Sequence, residues 1–116
     1  MKKDLIFLGI ETSCDETAAA LVKKSKNGKV KILSNVVSSQ EIVHKKFGGV
    51  VPELAARAHS EKIDLIIKKA IKKSKVNIHH IDGVACTAGP GLLVCLMVGM
   101  TRQNDRQRFK KTFFWD

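Results

Sequence analysis

Apolar positions crowd into short runs before they settle into a helical rhythm. Residues 5–10 read LIFLGI, end at Glu11 and give way to the small polar cluster TSCDET at 12–17, after which residues 18–22 return to AAALV. That is the pattern of strand, turn, strand. Asn27-Gly28 is a hairpin signal, because both residues tolerate the positive φ of a tight turn, and it parts the second run from a third at 30–37. The first forty residues therefore predict a three-stranded antiparallel meander. Little alternation within the runs predicts helices that cover the sheet.

Residues 45–49, ending in Gly48-Gly49, predict a loop, and Pro52 with Glu53 predicts a helix start, with proline early and an acid in the first turn. Leu54, Ala55, Ala58, Ile63, Ile66, Ile67, Ala70 and Ile71 then recur at three- and four-residue steps, while Lys62, Lys68, Lys69, Lys72 and Lys73 fall mostly on the other side. After a turn at 77–80, residues 81–87 predict a buried strand, and Ala88-Gly89-Pro90-Gly91 leads into a helix from near Leu92. The order is βββαβα. It is the order that begins an actin-like ATPase lobe, a ribonuclease-H-like α/β layer, here incomplete.

Residues 92–100 are apolar on every side, which asks for neighbours on every face. The text then changes to TRQNDRQR at 101–108, with Phe113-Phe114-Trp115 near the end. This predicts a partial lobe over 1–101 and a divergent basic tail over 102–116 that stands outside the fold. Residues 83–101 carry no charge and approach the length of a membrane span, but Gly89-Pro90-Gly91 interrupts them, so strand, turn and buried helix are expected instead.

Composition narrows the class. A chain of 116 residues with 44% hydrophobic and 28% charged residues suits one small soluble domain. Lys and Arg number 21 against 11 acids, a formal charge of +10 that favours polyanions. The lysines are scattered and aromatics are few, so a solvated basic surface explains the same excess. Cys14, Cys86 and Cys95 are odd in number and show no paired spacing, which predicts free thiols, a reducing compartment and a cytoplasmic protein.

Chemistry concentrates in the 12–17 turn, where hydroxyls, backbone amides and carboxylates can approach phosphate oxygens or position a water. Asp15 and Glu16 are the candidate catalytic groups, with Thr12 and Ser13 as supporting donors to substrate. A solvated hairpin would carry the same acids. Cys14 has no base partner in the sequence and reads as a small thiol. Ala88-Gly89-Pro90-Gly91 could turn amides towards an anion but lacks the ending of a P-loop. Glu53, Arg57 and His59 suggest a polar face on the long helix, open to a partner. None of the four histidines makes an i, i+4 pair, so no metal site is expected.

Three stretches together carry a resemblance: GIETSCDET at 9–17, SSQEIVHKKFGGVVPELAARAH at 38–59 and TAGPGLL at 87–93. In order and spacing they resemble the N-terminal third of the tRNA threonylcarbamoyladenosine transferases, also called glycoproteases or sialoglycoprotein endopeptidases. The resemblance implies transfer of a threonylcarbamoyl group from threonylcarbamoyl-AMP to the N6 amino group of the adenosine beside the tRNA anticodon, together with companion proteins of that modification. It also implies one divalent ion, iron or zinc, held by an HxxxH pair and a distant aspartate that this chain lacks. The chain is therefore expected to be a truncated, inactive piece. The rival expectations are an interaction module and an ATPase or sugar-kinase-like lobe.

Overall fold

The computed structural model describes residues 3–105 and 111–115. Strand β1 (Leu5–Glu11), β2 (Glu16–Lys24) and β3 (Val30–Ser39) form the antiparallel meander, with Glu11 opposite Ala18 and Glu16 opposite Ser39. Their connection at 25–29 is the Asn27-Gly28 hairpin: Ser25 N donates to Lys29 O at 2.8 Å, and Gly28 takes φ 89°. A shift in register between Leu21 and Val22 makes Ser34 face Leu21 and Ile32 face Val22, which leaves Leu33 as an extra residue on β3.

A short helix α1 (Glu41–Lys45), which the sequence reading did not expect, follows β3 and ends where the loop expected at 45–49 begins. Helix α2 (Pro52–Ser74) opens with proline and Glu53 in its first turn and ends at Lys75 in the left-handed region, φ 61°. A 3-10 turn (Ile78–His80), capped by the Asn77 side chain, leads into β4 (Gly83–Thr87). A cis Gly89-Pro90 bond lies in the turn before α3 (Leu93–Asp105), and β5 (Lys111–Trp115) completes the chain.

The sheet order is β3-β2-β1-β4-β5, with β4 parallel to β1 and β5 parallel to β4. The boundary expected at 101 thus falls inside α3, and part of the expected tail stands at the sheet edge; residues 106–110 and 116 lie outside the described residues. The uncharged stretch divides into β4, turn and α3, and no helix among the described residues is long and apolar enough to cross a membrane.

Strand alternation decides which face is buried. Leu8 and Ile10 of β1, Thr17, Ala19 and Leu21 of β2, and Val84 and Cys86 of β4 point one way, where Ile63, Ile66, Ile67 and Ala70 of α2 close over them. Each fully buried aliphatic side chain contributes about 1.5–3 kcal/mol of transfer free energy, so this face dominates cohesion. Helix α3 packs beside α2 and buries Cys95 and Leu96, while Leu93 and Met97 stay exposed. The opposite face carries Gly9, Ala18, Ala20 and Val22, whose small side chains leave a shallow bay of about 270 Å³.

Candidate functional site

The two central parallel strands, β1 and β4, end side by side, and the chain leaves them in opposite directions: β1 turns into β2, and β4 passes through α3 to β5. Ligands of open α/β sheets bind in the crevice that such a divergence opens beyond the carboxyl ends of the strands. Here that crevice is bounded by the first turn, residues 12–15, and by the 88–92 turn that precedes α3.

Glu11, unremarked in the sequence, bridges the two strand ends. One carboxylate oxygen accepts from Ser13 N and the other from Thr87 Oγ1 at 2.7 Å. Burial pulls its pKa upward, but the hydrogen bonds from Ser13 and Thr87 outweigh that and hold the carboxyl below its usual value. A negative charge is thereby fixed at the mouth of the bay, which Glu11 and Thr87 also line.

The turn itself is held from three sides. The carbonyls of Ser13, Cys14 and Asp15 accept from Leu92 N, His59 Nε2 and Gln40 N, each at 2.8 Å. With the carbonyls engaged by the protein, the N–H groups of Cys14 and Asp15 make no hydrogen bond among the described residues. Two consecutive free amides form a donor pair suited to an anion. The approach of the second turn is close: a Cβ on Gly91 would stand 2.7 Å from Ser13 Cβ and 2.8 Å from its carbonyl oxygen, so only glycine fits.

Of the sequence candidates, Asp15 is half-buried beside the free amides and Glu16 is exposed at the start of β2, on the same face as Ala18. Ser13 is half-buried against Gly91. Thr12, expected as a donor to substrate, is instead 1% exposed, donating to Cys95 O at 2.7 Å and accepting from Gly99 N at 3.1 Å. Its hydroxyl fastens α3 to the end of β1 through the small Gly99, whose added Cβ would lie 2.6 Å away. The Cys14 thiol is pushed up by burial and then by Asp15 and Glu11, so it stays protonated near neutrality and is a poor nucleophile. Burial, with Glu11 behind it, raises the Cys86 thiol to about 11.

The expected polar face of α2 is corrected at His59. Glu53 and Arg57 are exposed, but His59 is fully buried and points into the sheet, between Thr17 and the first turn. It occupies the inner stripe because it sits four residues after Ala55 and four before Ile63. His44 is likewise buried, while His79 and His80 are exposed in the 3-10 turn. Both ring nitrogens of His44 and of His59 hold protein hydrogen bonds, and no group of three His, Cys, Asp or Glu among the described residues could hold a metal ion. These residues do not fit a metal centre.

Sheet order, helix placement and the crevice between β1 and β4 define an actin-like, ribonuclease-H-like α/β lobe, present in part. YeaZ from Pseudomonas aeruginosa shares this fold with a TM-score of 0.68 at 14% identity, over 97% of this chain and 44% of that one. The sequence profile of the tRNA N6-adenosine threonylcarbamoyltransferases matches residues 31–103, and the chain belongs to that family. The transferase of Pelagibacter ubique is 61% identical over 101 residues, 87% of this chain and 28% of that protein. Those of Caulobacter vibrioides and Bacillus subtilis are 52% identical over 99 residues and 56% over 99 residues, each across 85% of this chain. The chain spans about 28% of the length of such relatives.

Proposed function

We propose that this chain supplies the first-turn part of the site with which threonylcarbamoyl-AMP is gripped for transfer to the N6 amino group of an adenosine in tRNA. The observation that carries the reading is the pair of free amides at Cys14 and Asp15, set beyond the ends of β1 and β4 in a chain of this family. An adenylate phosphate is anionic, so it is met by N–H donors and repelled by carboxylates. The amides therefore take the phosphate oxygens, with the Ser13 hydroxyl beside them. Asp15 and Glu16 face the other partner of the reaction, the amine or a water, as hydrogen-bond acceptors.

In this reading the divalent ion of the family, iron or zinc, belongs to ligands outside the described residues, and this chain does not transfer the group by itself. The sequence after about 102 diverges from the family, whose profile match ends at 103, although 111–115 pair with β4 at the sheet edge. Cytoplasmic companion proteins and tRNA are the partners, and the +10 charge assists contact with the polyanion.

Titration of the chain with threonylcarbamoyl-AMP, followed by amide NMR, tests the assignment. Saturable shifts centred on Cys14 and Asp15, abolished in Asp15→Pro, are expected, because proline removes one of the two donors. Shifts confined to another surface would overturn it. Robust transfer to tRNA by the chain without any other protein would overturn the division of labour.

A further inference from the structure

Gln40, His44 and His59 are 1%, 4% and 0% exposed, and every polar side-chain atom of the three has a partner. Proton positions in this cluster follow from neighbours that can play only one role. The Val51 amide can only donate, so His44 Nδ1, 3.1 Å away, is bare and Nε2 carries the proton. That proton goes to Gln40 Oε1 at 2.8 Å. The Gln40 amide nitrogen is thereby turned towards Ala55 O and His59 Nδ1, each at 3.2 Å. The Thr17 hydroxyl donates to the same His59 Nδ1 at 2.6 Å, and His59 Nε2 donates to Cys14 O at 2.8 Å.

The sense of the chain can be fixed independently from its far end. The Cys14 carbonyl only accepts, which places the His59 proton on Nε2 and leaves Nδ1 bare, in agreement with the assignment made from Val51. Both imidazoles are thus locked in one neutral tautomer and one ring orientation, since a flip would set C–H groups against the partners. The Gln40 backbone adds its N–H to Asp15 O, so the cluster grips two successive carbonyls of the first turn.

We propose that Gln40, His44 and His59 form a one-way hydrogen-bond relay that fixes the backbone of the first turn, and are positioning residues for the ligand the turn takes. The relay runs from the loop before α2 to Cys14, and its product is a fixed turn whose Cys14 and Asp15 amides have no partner among the described residues. The ligand clause rests on the reading under Proposed function; the relay itself does not.

Long-range imidazole 1H–15N spectra of the intact chain test it without any substitution. His44 and His59 should both appear as neutral Nε2–H forms with slowly exchanging protons, while His79 and His80 exchange freely. A Nδ1–H form at either buried histidine would overturn the relay. Gln40→Leu should move the amides of residues 13–16, leave the methyls of Leu8 and Ile67 in place, and weaken threonylcarbamoyl-AMP about tenfold, the scale of one lost buried hydrogen bond. Unmoved turn amides would overturn the proposal. Should Gln40→Leu fail to fold, His59→Gln decides: its amide can still donate to Cys14 O, so it should bind within about threefold of the unsubstituted chain, and equal loss in His59→Gln and His59→Leu would sink the positioning role. If the unsubstituted chain does not bind the adenylate, the functional reading falls, and tautomers and turn amides still decide the relay.

Discussion

Strand β2 is entered and left through turns of opposite kinds. The turn at 25–29 is nearly self-contained: Ser25 with Lys29, Gly28 with Ser25 and Lys29 with the Asn27 side chain satisfy one another, and from outside it Asp4 accepts Lys26 N. The turn at 12–15 is fixed from a distance, by Leu92, His59 and Gln40, with Thr12 and Thr17 buried on either side of it. A local turn leaves its shape to its own residues. A turn with three successive carbonyls held by other elements can afford unpaired amides, which is what an anion site requires.

The sharpest way to break the contrast is Gly91→Ala. Its Cβ would meet the Cα, Cβ and carbonyl oxygen of Ser13 at 3.1 Å or less, atoms that cannot rotate away, so a loss of about 2–3 kcal/mol is expected as a lowered urea midpoint at constant m. A cost below about 0.5 kcal/mol would show that the clamp on the first turn is soft.

Acid should separate the turns at smaller amplitude. Burial, against the pull of the Cys14 carbonyl and of Glu11 and Asp15, lowers the His59 pKa from 6.5, so the unfolded chain takes up a proton there first. Stability is therefore intact above 6.5 and falls as pH drops below it, until the folded histidine also titrates. Glu11, held below 4.5, adds a second loss that begins near 4.5 and grows as pH falls. Between these values hydrogen exchange, corrected for its intrinsic pH dependence, should loosen at residues 13–16 and stay unchanged at 25–29. Equal loosening at both turns would refute the distinction.

The smallest effect belongs to the local turn. Gly28→Ala meets no atom within 4 Å but must hold φ 89°, which predicts about 1 kcal/mol of destabilisation with the amides of 13–16 unmoved. Shifts at 13–16 in this variant would show that the two turns are coupled through β2.

The same contrast explains what could be read in advance. Asn27-Gly28, Pro52-Glu53 and the turn around Pro90 carry their structure in adjacent residues, so the meander, α2, β4 and α3 were legible, and with them the lobe. Helix α1 was not, because five residues make little more than one turn, too few for a repeat to show, and its inward His44 is held by Gln40 and Val51. Glu11 gave no signal beyond ending a strand, since Thr87 lies 76 residues away. The sign for His59 was present: a polar residue four steps from Ala55 and from Ile63, on a stripe that must be buried, needs partners inside the protein.

One consequence reaches beyond the crevice. Among the described residues β3 is an outer strand of the sheet, and it bears Val30 at 65%, Ile32 at 66% and Val37 at 50% exposure, the makings of a template for strand-to-strand self-association. The extra residue at Leu33 breaks the even spacing that a flat incoming strand would need, and Lys29 and Lys31 place like charges beside any second copy stacked against it. The irregular edge thus acts as a gatekeeper, protecting solubility where the apolar side chains would erode it.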